Sequence, residues 1–202
     1  MRVYDNEGNH SEKTWKIVPT RTPRVFRRCN RCDIRRAFVS SHKFRVNSQQ
    51  KRMDAWLVYK CEVCEQTWNC AIFNRLTRRE IGEDLYRRLI DNDERTAQQC
   101  AFDYELLKRN QVEVEEQVDY RVEGDVLDWG RARGAVRICI TFNLAARVRL
   151  DKLLARQLGL SRKALKVLCA QGDISWEGKH KLSKPIAQNL WVTVVAEAIK
   201  EP

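Results

Sequence analysis

The sequence predicts an α+β fold in which strand-rich and helix-rich segments follow one another along the chain. Runs rich in Val, Phe, Trp and Tyr at residues 36–48 and 54–60 predict strands. Apolar residues at helical spacing after residue 77, and again after residue 147, predict helices that are each followed by strand patterns. We therefore expect three domains: a small β domain with a basic N-terminal segment at 1–76, an acidic α+β middle region at 77–146, and a helix–helix–small-sheet module at 147–202.

The composition is that of a globular protein. Hydrophobic residues make up 43% of the 202 residues, which is enough for a packed core. The sequence has no run of about 18 apolar residues that would span a membrane. Residues 1–16 contain no apolar signal-peptide segment. We expect a cytoplasmic protein with no membrane partner.

Charge is distributed unevenly along the chain. Residues 16–60 hold 13 Lys/Arg and 2 Asp/Glu, and residues 129–202 hold 14 and 5. Residues 61–128, between these two basic blocks, hold 9 Lys/Arg and 17 Asp/Glu. The asymmetry favours a polyanionic partner that contacts both basic blocks. The alternative is that each block is only a solvated face.

Four of the eight cysteines form two C-x-x-C pairs, Cys29/Cys32 and Cys61/Cys64. A C-x-x-C turn points two thiolates at one ion, and two such turns complete a tetrahedral shell. Because four cysteines leave no coordination position for water, we expect one structural Zn²⁺ and no catalytic metal. Two alternatives stay open: a redox dithiol, for which neither pair has the usual βαβ context, and buried structural thiols.

Residues 26–70 resemble a zinc ribbon, in which a hairpin joins two cysteine knuckles. The segment departs from the pattern at Glu65, where many ribbons carry Gly. Zinc ribbons often serve as rigid platforms for nucleic acid or protein. The first knuckle is rich in Arg, whose guanidinium fork suits phosphate oxygens, and this favours nucleic acid. The candidate contact residues here are Arg27, Arg28, Arg31 and Arg35.

The middle region predicts two helices and two strands, without residues arranged for chemistry. Thr77 and Glu80 have the spacing of a capping box, and an apolar stripe follows from Ile81. A second helix is expected from about Arg95 to Lys108. Residues 111–124 alternate Val with acids, and residues 135–144 are apolar, so both segments predict strands.

The C-terminal segment predicts two helices that separate leucines from cations. In a helix over 149–158, Leu150, Leu154 and Leu158 share one face, and Arg149, Lys152 and Arg156 share the other. Gly159 ends this helix and Ser161 caps the next one, which Gly172 ends in turn. A short strand, a turn at 177–178 and a final apolar strand follow.

Residues 147–197 resemble the S4 RNA-binding domain. The matching segments are Arg149-Leu150-Asp151-Lys152, Ser161-Arg162, Gly172-Asp173-Ile174, Glu177-Gly178 and Ser183-Lys184-Pro185. The sequence departs at Glu177, where Asn is usual, and at Gln188-Asn189, where Gly-Asp is usual. The resemblance implies that exposed residues of this segment contact RNA phosphates. They are Arg149, Lys152, Arg156, Ser161, Arg162, Lys163, Lys166, Lys179 and Lys184.

These features lead us to expect a non-enzymatic, zinc-containing RNA-binding protein. The S4 resemblance implies structured RNA as the partner, such as ribosomal RNA or a ribosomal particle. One alternative is a zinc-ribbon DNA-binding regulator, and another is an accessory part of an RNA-modifying enzyme. The sequence contains no phosphate loop, nucleophile elbow or methyl-donor glycine motif. The combination of the two modules also resembles an uncharacterised bacterial family known only as a domain of unknown function.

Overall fold

The computed structural model describes residues 11–49 and 51–199, which fall into two compact units. Within the described residues, the central unit is Pro19–Asp119, and the terminal unit combines the residues up to Val18 with those from Tyr120 onward. Each unit contains both strands and helices, so the α+β class is confirmed. Every helix in the described residues is too short or too polar to cross a membrane.

The described residues form twelve strands and seven helices. The strands are β1 (Ser11–Pro19), β2 (Val25–Arg28), β3 (Arg35–Gln49), β4 (Arg52–Cys61), β5 (Thr67–Thr77), β6 (Glu113–Val114), β7 (Tyr120–Gly124), β8 (Ala135–Phe142), β9 (Val148–Arg149), β10 (Ile174–Trp176), β11 (Pro185–Ile186) and β12 (Leu190–Val195). The helices are α1 (Arg78–Ile81), α2 (Glu83–Ile90), α3 (Glu94–Ala101), α4 (Tyr104–Arg109), α5 (Leu150–Leu158), α6 (Arg162–Gln171) and α7 (Ala196–Ile199).

The central unit is built on an antiparallel sheet with the strand order β5-β4-β3-β2-β6. Alternate residues of β4, among them Leu57 and Tyr59, are fully buried because side chains of a strand alternate between faces. The helices α3 and α4 cover this face with small and aliphatic side chains. These are Ala97, Ala101, Leu106 and Leu107.

Two asparagine side chains attach the helical segments to backbone groups of the sheet. The Asn110 amide accepts from the Ala71 N–H at 2.8 Å and donates to the Ala71 carbonyl at 2.9 Å. The Asn92 amide oxygen accepts from the Phe44 N–H at 2.7 Å, next to an irregularity in the β3–β4 register. These side chains satisfy backbone groups that strand pairing leaves open.

The helices of the central unit are shorter than the sequence pattern predicts. The capping box between Thr77 and Glu80 is confirmed, but its helix ends at Ile81. Gly82 adopts φ +80°, a conformation outside the helix, so α1 and α2 are separate. The predicted helix from Arg95 to Lys108 is likewise broken after Ala101, because the Asp103 carboxylate caps a new helix by accepting from the Leu106 N–H.

The terminal unit is built on a second sheet with the strand order β10-β12-β8-β1-β7. β1 runs parallel to β8, and β12 runs antiparallel to β8 on its other side. α5 and α6 lie where the sequence predicts them: Ser161 caps α6, and Gly159 and Gly172 end the helices in the left-handed conformation. The inward leucines Leu150 and Leu154 are fully buried in this core.

The division into two units differs from the three domains expected from the sequence. The helices after residue 77 pack on the sheet that precedes them, so they belong to the same unit as the cysteine pairs. The acidic segment 111–124 contributes to both sheets, because β6 pairs with β2 and β7 pairs with β1. The strand β1 was not expected, and its pairing with β8 joins the start of the chain to its C-terminal part.

Gly124 occupies a position that excludes any side chain. Its φ is +126°, and a Cβ there would overlap the carbonyl oxygen of Thr14 on β1. The same carbonyl accepts from the Asp125 N–H at 3.1 Å, while the Thr14 N–H donates to the Asp125 carboxylate at 2.8 Å. The close approach of β7 to β1 therefore depends on glycine.

We expect Gly124→Ala to destabilise the terminal unit by more than about 3 kcal/mol, because the clash is with backbone. Gly134→Ala is the matched control, since Gly134 also has positive φ (+67°) but open space around it. That control should cost only the left-handed strain, about 1–2 kcal/mol. Chemical denaturation of both variants measures the difference, and equal losses would contradict the assigned role of Gly124.

Candidate metal centre and nucleic-acid interface

The four paired cysteines come together at one end of the central sheet. Cys29 directly follows β2, and Cys61 is the last residue of β4. The sulfur atoms of Cys29, Cys32, Cys61 and Cys64 all lie within 4.8 Å of one another. Cys29 and Cys61 are buried, and Cys32 and Cys64 are half-buried. The sequence-predicted ligand set is thus a spatial cluster that can hold a metal ion such as zinc.

The two C-x-x-C turns have the same backbone hydrogen bonds. In the first turn, the Cys29 N–H donates to the Ile34 carbonyl at 2.9 Å, and the Asp33 N–H donates to the Cys29 carbonyl at 2.8 Å. In the second turn, the equivalent bonds join Cys61 to Gln66 at 2.9 Å and Glu65 to Cys61 at 3.0 Å. Each turn therefore presents its two sulfurs in the same way.

Glu65, the position where the sequence departs from the ribbon pattern, adopts the conformation that glycine favours. Its φ is +60°, and Asp33, the equivalent residue of the first turn, has φ +57°. A non-glycine residue costs about 1–2 kcal/mol in this region. The departure therefore leaves the turn geometry intact and adds local strain.

The donor set fits a tetrahedral thiolate site. Zinc–sulfur bonds of about 2.3 Å place ligand sulfurs about 3.8 Å apart. The Sγ atoms of Cys29 and Cys64 are 3.5 Å apart, and all four sulfurs lie within 4.8 Å, so small movements would close the shell. Four soft sulfur ligands favour a metal such as zinc over hard cations such as Mg²⁺ or Ca²⁺.

The cluster favours ionisation at one sulfur and opposes it at another. Burial opposes ionisation of Cys29, but hydrogen bonds from the Cys32 and Arg31 backbone and from neighbouring thiols lower its pKa to about 6. The Gln66 N–H lowers the pKa of Cys64, but burial and the other thiols raise it overall to about 12. A metal must displace the remaining protons, so its affinity falls as the pH falls.

The four candidate contact arginines of the first turn, Arg27, Arg28, Arg31 and Arg35, each contact another group of the chain. Arg27 stacks over the rings of Trp68 and Phe38, with its guanidinium carbon 4.6 and 5.8 Å from the ring centroids. Arg28 pairs with Asp33 at 2.6 Å, and Arg31 donates to the Cys64 carbonyl at 3.3 Å. Arg35 pairs with Glu113 and stacks over Phe26. These contacts leave fewer free guanidinium groups than the sequence suggests.

Acids from the middle of the sequence neutralise the neighbouring arginines. Arg21 binds the Glu115 carboxylate through two hydrogen bonds of 2.6 and 2.7 Å, and Arg24 contacts Glu62 at 2.7 Å. The hydrogen bond from Arg21 is the main reason that the pKa of Glu115 lies below its usual value. The acidic segment thus serves as an internal partner for part of the basic block.

In the terminal unit, Arg149 is held by a buried carboxylate. Its guanidinium donates to both oxygens of Asp151 at 2.6 and 3.0 Å, and Asp151 is 4% exposed. Burial opposes ionisation of Asp151, but the hydrogen bond and charge of Arg149, together with a hydrogen bond from the Lys152 N–H, outweigh it and lower the pKa of Asp151. The charge of Arg162 contributes in the same direction, so Arg162 lies near this pair.

The remaining cations of α5 and α6 form an exposed surface. Arg156, Arg162, Lys163 and Lys166 are exposed, and within residues 11–49 and 51–199 they take part in no ion pair. Lys152 is also exposed. The Ser161 hydroxyl accepts from the Ala164 N–H at 3.1 Å, so it serves as the helix cap. Lys179 and Lys184 are exposed in the segments around β11.

A second group of cations lies on the central sheet, and sequence reasoning missed it. Lys43 and Arg45 of β3 and Lys60 of β4 are exposed and lie around Trp56. The signal was available in the alternation of cations with apolar residues along β3 and β4. It was overlooked because the arginines of the first turn are denser in the sequence.

Comparison with known proteins identifies the family. Residues 46–180 match the family described as "Protein of unknown function (DUF1062)". The chain belongs to this family. No curated protein and no solved structure matches the chain. The matched DUF1062 region contains Cys61 and Cys64 but begins after Cys29 and Cys32, and its description names no activity.

We expect the purified DUF1062 chain to contain about one zinc ion per molecule. Cys29→Ser should lose the metal and destabilise the central unit, because three thiolates leave the shell incomplete. Cys100→Ser is the matched control, a half-buried cysteine of α3 that lies outside the cluster. Elemental analysis of the three proteins tests this. Full metal retention after substitution of both Cys29 and Cys61 would rule out the cluster as the site.

We expect Glu65→Gly to stabilise the metal-loaded central unit by about 1 kcal/mol, since glycine adopts positive φ without strain. Val63→Gly is the control in the same turn: Val63 is 63% exposed and is not among the positive-φ residues. At that position, glycine should lower the stability of the unit, because it only raises the conformational entropy of the unfolded chain. Thermal unfolding compares them, and a lower melting temperature for Glu65→Gly would contradict the strain argument.

Proposed function

We propose that this chain is a non-enzymatic RNA-binding protein with one structural zinc ion. The observation that carries the proposal is the exposed surface of α5 and α6, where Arg156, Arg162, Lys163 and Lys166 have no ion-pair partner in the described residues. Exposed cations without an ion-pair partner in the described residues are available for phosphates, and such contacts supply much of the affinity for nucleic acid.

The four-cysteine cluster supports zinc in a structural role. The four sulfurs fill a tetrahedral shell, so the metal would have no position for a reacting water. Bound zinc would tie the end of β2 to the end of β4, as in the zinc ribbons that residues 26–70 resemble. Metal binding would then supply part of the folding free energy of the central unit.

The S4-like pattern supports RNA as the polyanion. Its matching residues Arg149, Lys152 and Arg162 lie at the starts of α5 and α6. The two hydrogen bonds from the Arg149 guanidinium to the Asp151 carboxylate hold the arginine side chain in place before a ligand binds. A fixed cation beside exposed ones suits a partner recognised by its shape, such as folded ribosomal RNA. The resemblance extends the proposal to ribosomal RNA or a ribosomal particle.

The state of Asp151 favours a binding protein over an enzyme. Its carboxylate is buried, both oxygens accept hydrogen bonds, and its pKa is lowered. A general acid or base needs a pKa near the working pH and access to substrate, so this carboxylate is poorly suited to proton transfer. Its contacts suit it to positioning Arg149 in the proposed RNA-binding surface.

We expect Arg162→Gln/Lys166→Gln to weaken binding of a hairpin RNA. The slope of log affinity against log salt should shrink by about 0.7–0.9 for each phosphate contact removed. Because both residues are exposed, each change should alter folding stability by less than about 0.5 kcal/mol. Fluorescence anisotropy at several salt concentrations measures affinity and slope together.

Two controls distinguish the loss of this surface from a general loss of positive charge and from a loss of folding stability. Arg95→Gln/Lys108→Gln removes the same charge from α3 and α4 and should leave the salt slope unchanged. Leu154→Ala should cost about 2–5 kcal/mol of stability because Leu154 is fully buried, without altering the slope of the folded fraction. An unchanged slope in the Arg162/Lys166 variant would refute the surface, and preference for duplex DNA in competition would favour a DNA-binding regulator.

A further inference from the structure

The core cluster of the central unit packs against one face of its sheet and leaves the other face uncovered. Along β4, Leu57, Tyr59 and Cys61 belong to the buried cluster, whereas Trp56, Val58 and Lys60 lie on the opposite face. The register with β3 adds their cross-strand neighbours to the same face. We call this surface the open face, and it consists of Val39, Lys43, Arg45, Trp56, Val58 and Lys60.

The cations of the open face have no acid partner in the described part of the chain. Lys43, Arg45 and Lys60 are exposed, and none has an ion-pair partner among the described residues. Asp54 lies on the same face, two residues before Trp56, and its carboxylate accepts from the Arg75 N–H at 2.8 Å, whereas Glu113 pairs with Arg35. Three cations against the one carboxylate of Asp54 leave this part of the face with a net positive charge.

Apolar side chains are interleaved with these cations. Val39, Trp56 and Val58 are half-buried, and they pack against neither core cluster of the described residues. Trp56 lies directly opposite Arg45 across the strand pair, so an indole and a guanidinium are adjacent on the surface. An aromatic ring among free cations can contact a base and its phosphates together.

We propose that the open face binds an unpaired segment of RNA. Lys43, Arg45 and Lys60 contact successive phosphates, and a base stacks on Trp56. The inference rests on the proposed function in that the polyanion is RNA, but it assigns a separate surface to a separate part of the ligand. The arginines of the first turn, which have partners in the chain, are not needed for it.

The geometry favours single strands over a duplex. Same-face residues are about 7 Å apart along a strand, so neighbouring side chains can follow an extended backbone. β3 and β4 are interior strands flanked by β2 and β5, so this face is wider than the two-stranded ribbon that a major groove admits. Bases in a duplex stack on each other, and only unpaired bases are free to stack on Trp56.

The charge test uses the metal-loaded full chain and a fluorescein-labelled oligouridylate of about 12 nucleotides. Lys43→Gln/Arg45→Gln/Lys60→Gln should weaken binding, and the salt slope should shrink by about 2, or about 0.7 for each contact removed. The matched control is Arg95→Gln/Lys108→Gln/Arg109→Gln, which removes three exposed charges from α3 and α4. Its slope should equal that of the unmodified chain.

The stacking test replaces Trp56 in two ways. Trp56→Leu keeps an apolar side chain but removes the aromatic face, and it should weaken oligouridylate binding at least about fivefold. Trp56→Phe should retain most of the affinity, because the smaller ring can still stack. Equal losses in both variants would show that a fold defect, and not stacking, is responsible, which would overturn the role of Trp56.

The two RNA probes distinguish this inference from the proposed function. The open-face triple variant should lose oligouridylate and keep the hairpin, whereas Arg162→Gln/Lys166→Gln should do the reverse. If Arg162→Gln/Lys166→Gln loses the hairpin but the open-face triple variant keeps oligouridylate, the open face is not a site and the proposed function stands. If the unmodified chain binds neither probe, both fail. If the triple variant keeps oligouridylate but loses polyglutamate, the face binds an acidic protein and the inference is overturned.

Discussion

The alternation of buried and open residues along β4 is the constraint on which the central unit depends. Because side chains of a strand alternate between faces, one register places Leu57 and Tyr59 in the core and brings Cys61 to the other cysteines. The same register puts Trp56 and Lys60 on the open face. A slip of one residue would bury the lysine and expose the tyrosine, so the core fixes the position of the cysteine cluster and of the open face together.

Ion pairing within the chain reduces the number of cations that are available to a polyanionic ligand. The first basic block has the greatest density of arginine, yet Arg21, Arg24 and Arg35 are neutralised by acids that lie far away in sequence. Exposed pairs of this kind contribute little stability, but they remove cations from the set available to a polyanion. Exposed cations without an ion-pair partner among the described residues lie on α5, α6 and the open face.

Local features of the sequence predicted local features of the fold. The C-x-x-C spacing, the Thr77 capping box and the Gly159 and Gly172 helix ends depend on residues a few positions apart, and all are present. The breaks after Ile81 and Ala101 were missed, because an apolar stripe can continue across a glycine or a new cap. Here the backbone conformation of Gly82 and the cap at Asp103 outweighed the periodicity.

Non-local pairing was beyond what the pattern of a single sequence contains. The parallel pairing of β1 with β8 joins Trp15 to Ile140, and nothing in either segment specifies the other. The partners of the arginines were hidden for the same reason, since Glu113 and Glu115 approach them only because β6 pairs with β2. The candidate metal ligands were predictable because each pair is local, and only their meeting required the fold.

The metal cluster and the open face are linked through the two strands that they share. In the strand register, Cys61 pairs with Phe38, and the adjacent pair is Lys60 with Val39. The end of β4 therefore belongs to both sites. Without a metal, the cysteine end of β4 would be held by its strand pairing, by the hydrogen bonds of its turn and by the burial of Cys61 in the core. Local opening there would release Lys60 first and Trp56 later, because Trp56 lies further from the strand end. A bound metal would therefore stabilise the end of the surface proposed to hold RNA, and it would be structural for that surface as well as for the hairpin.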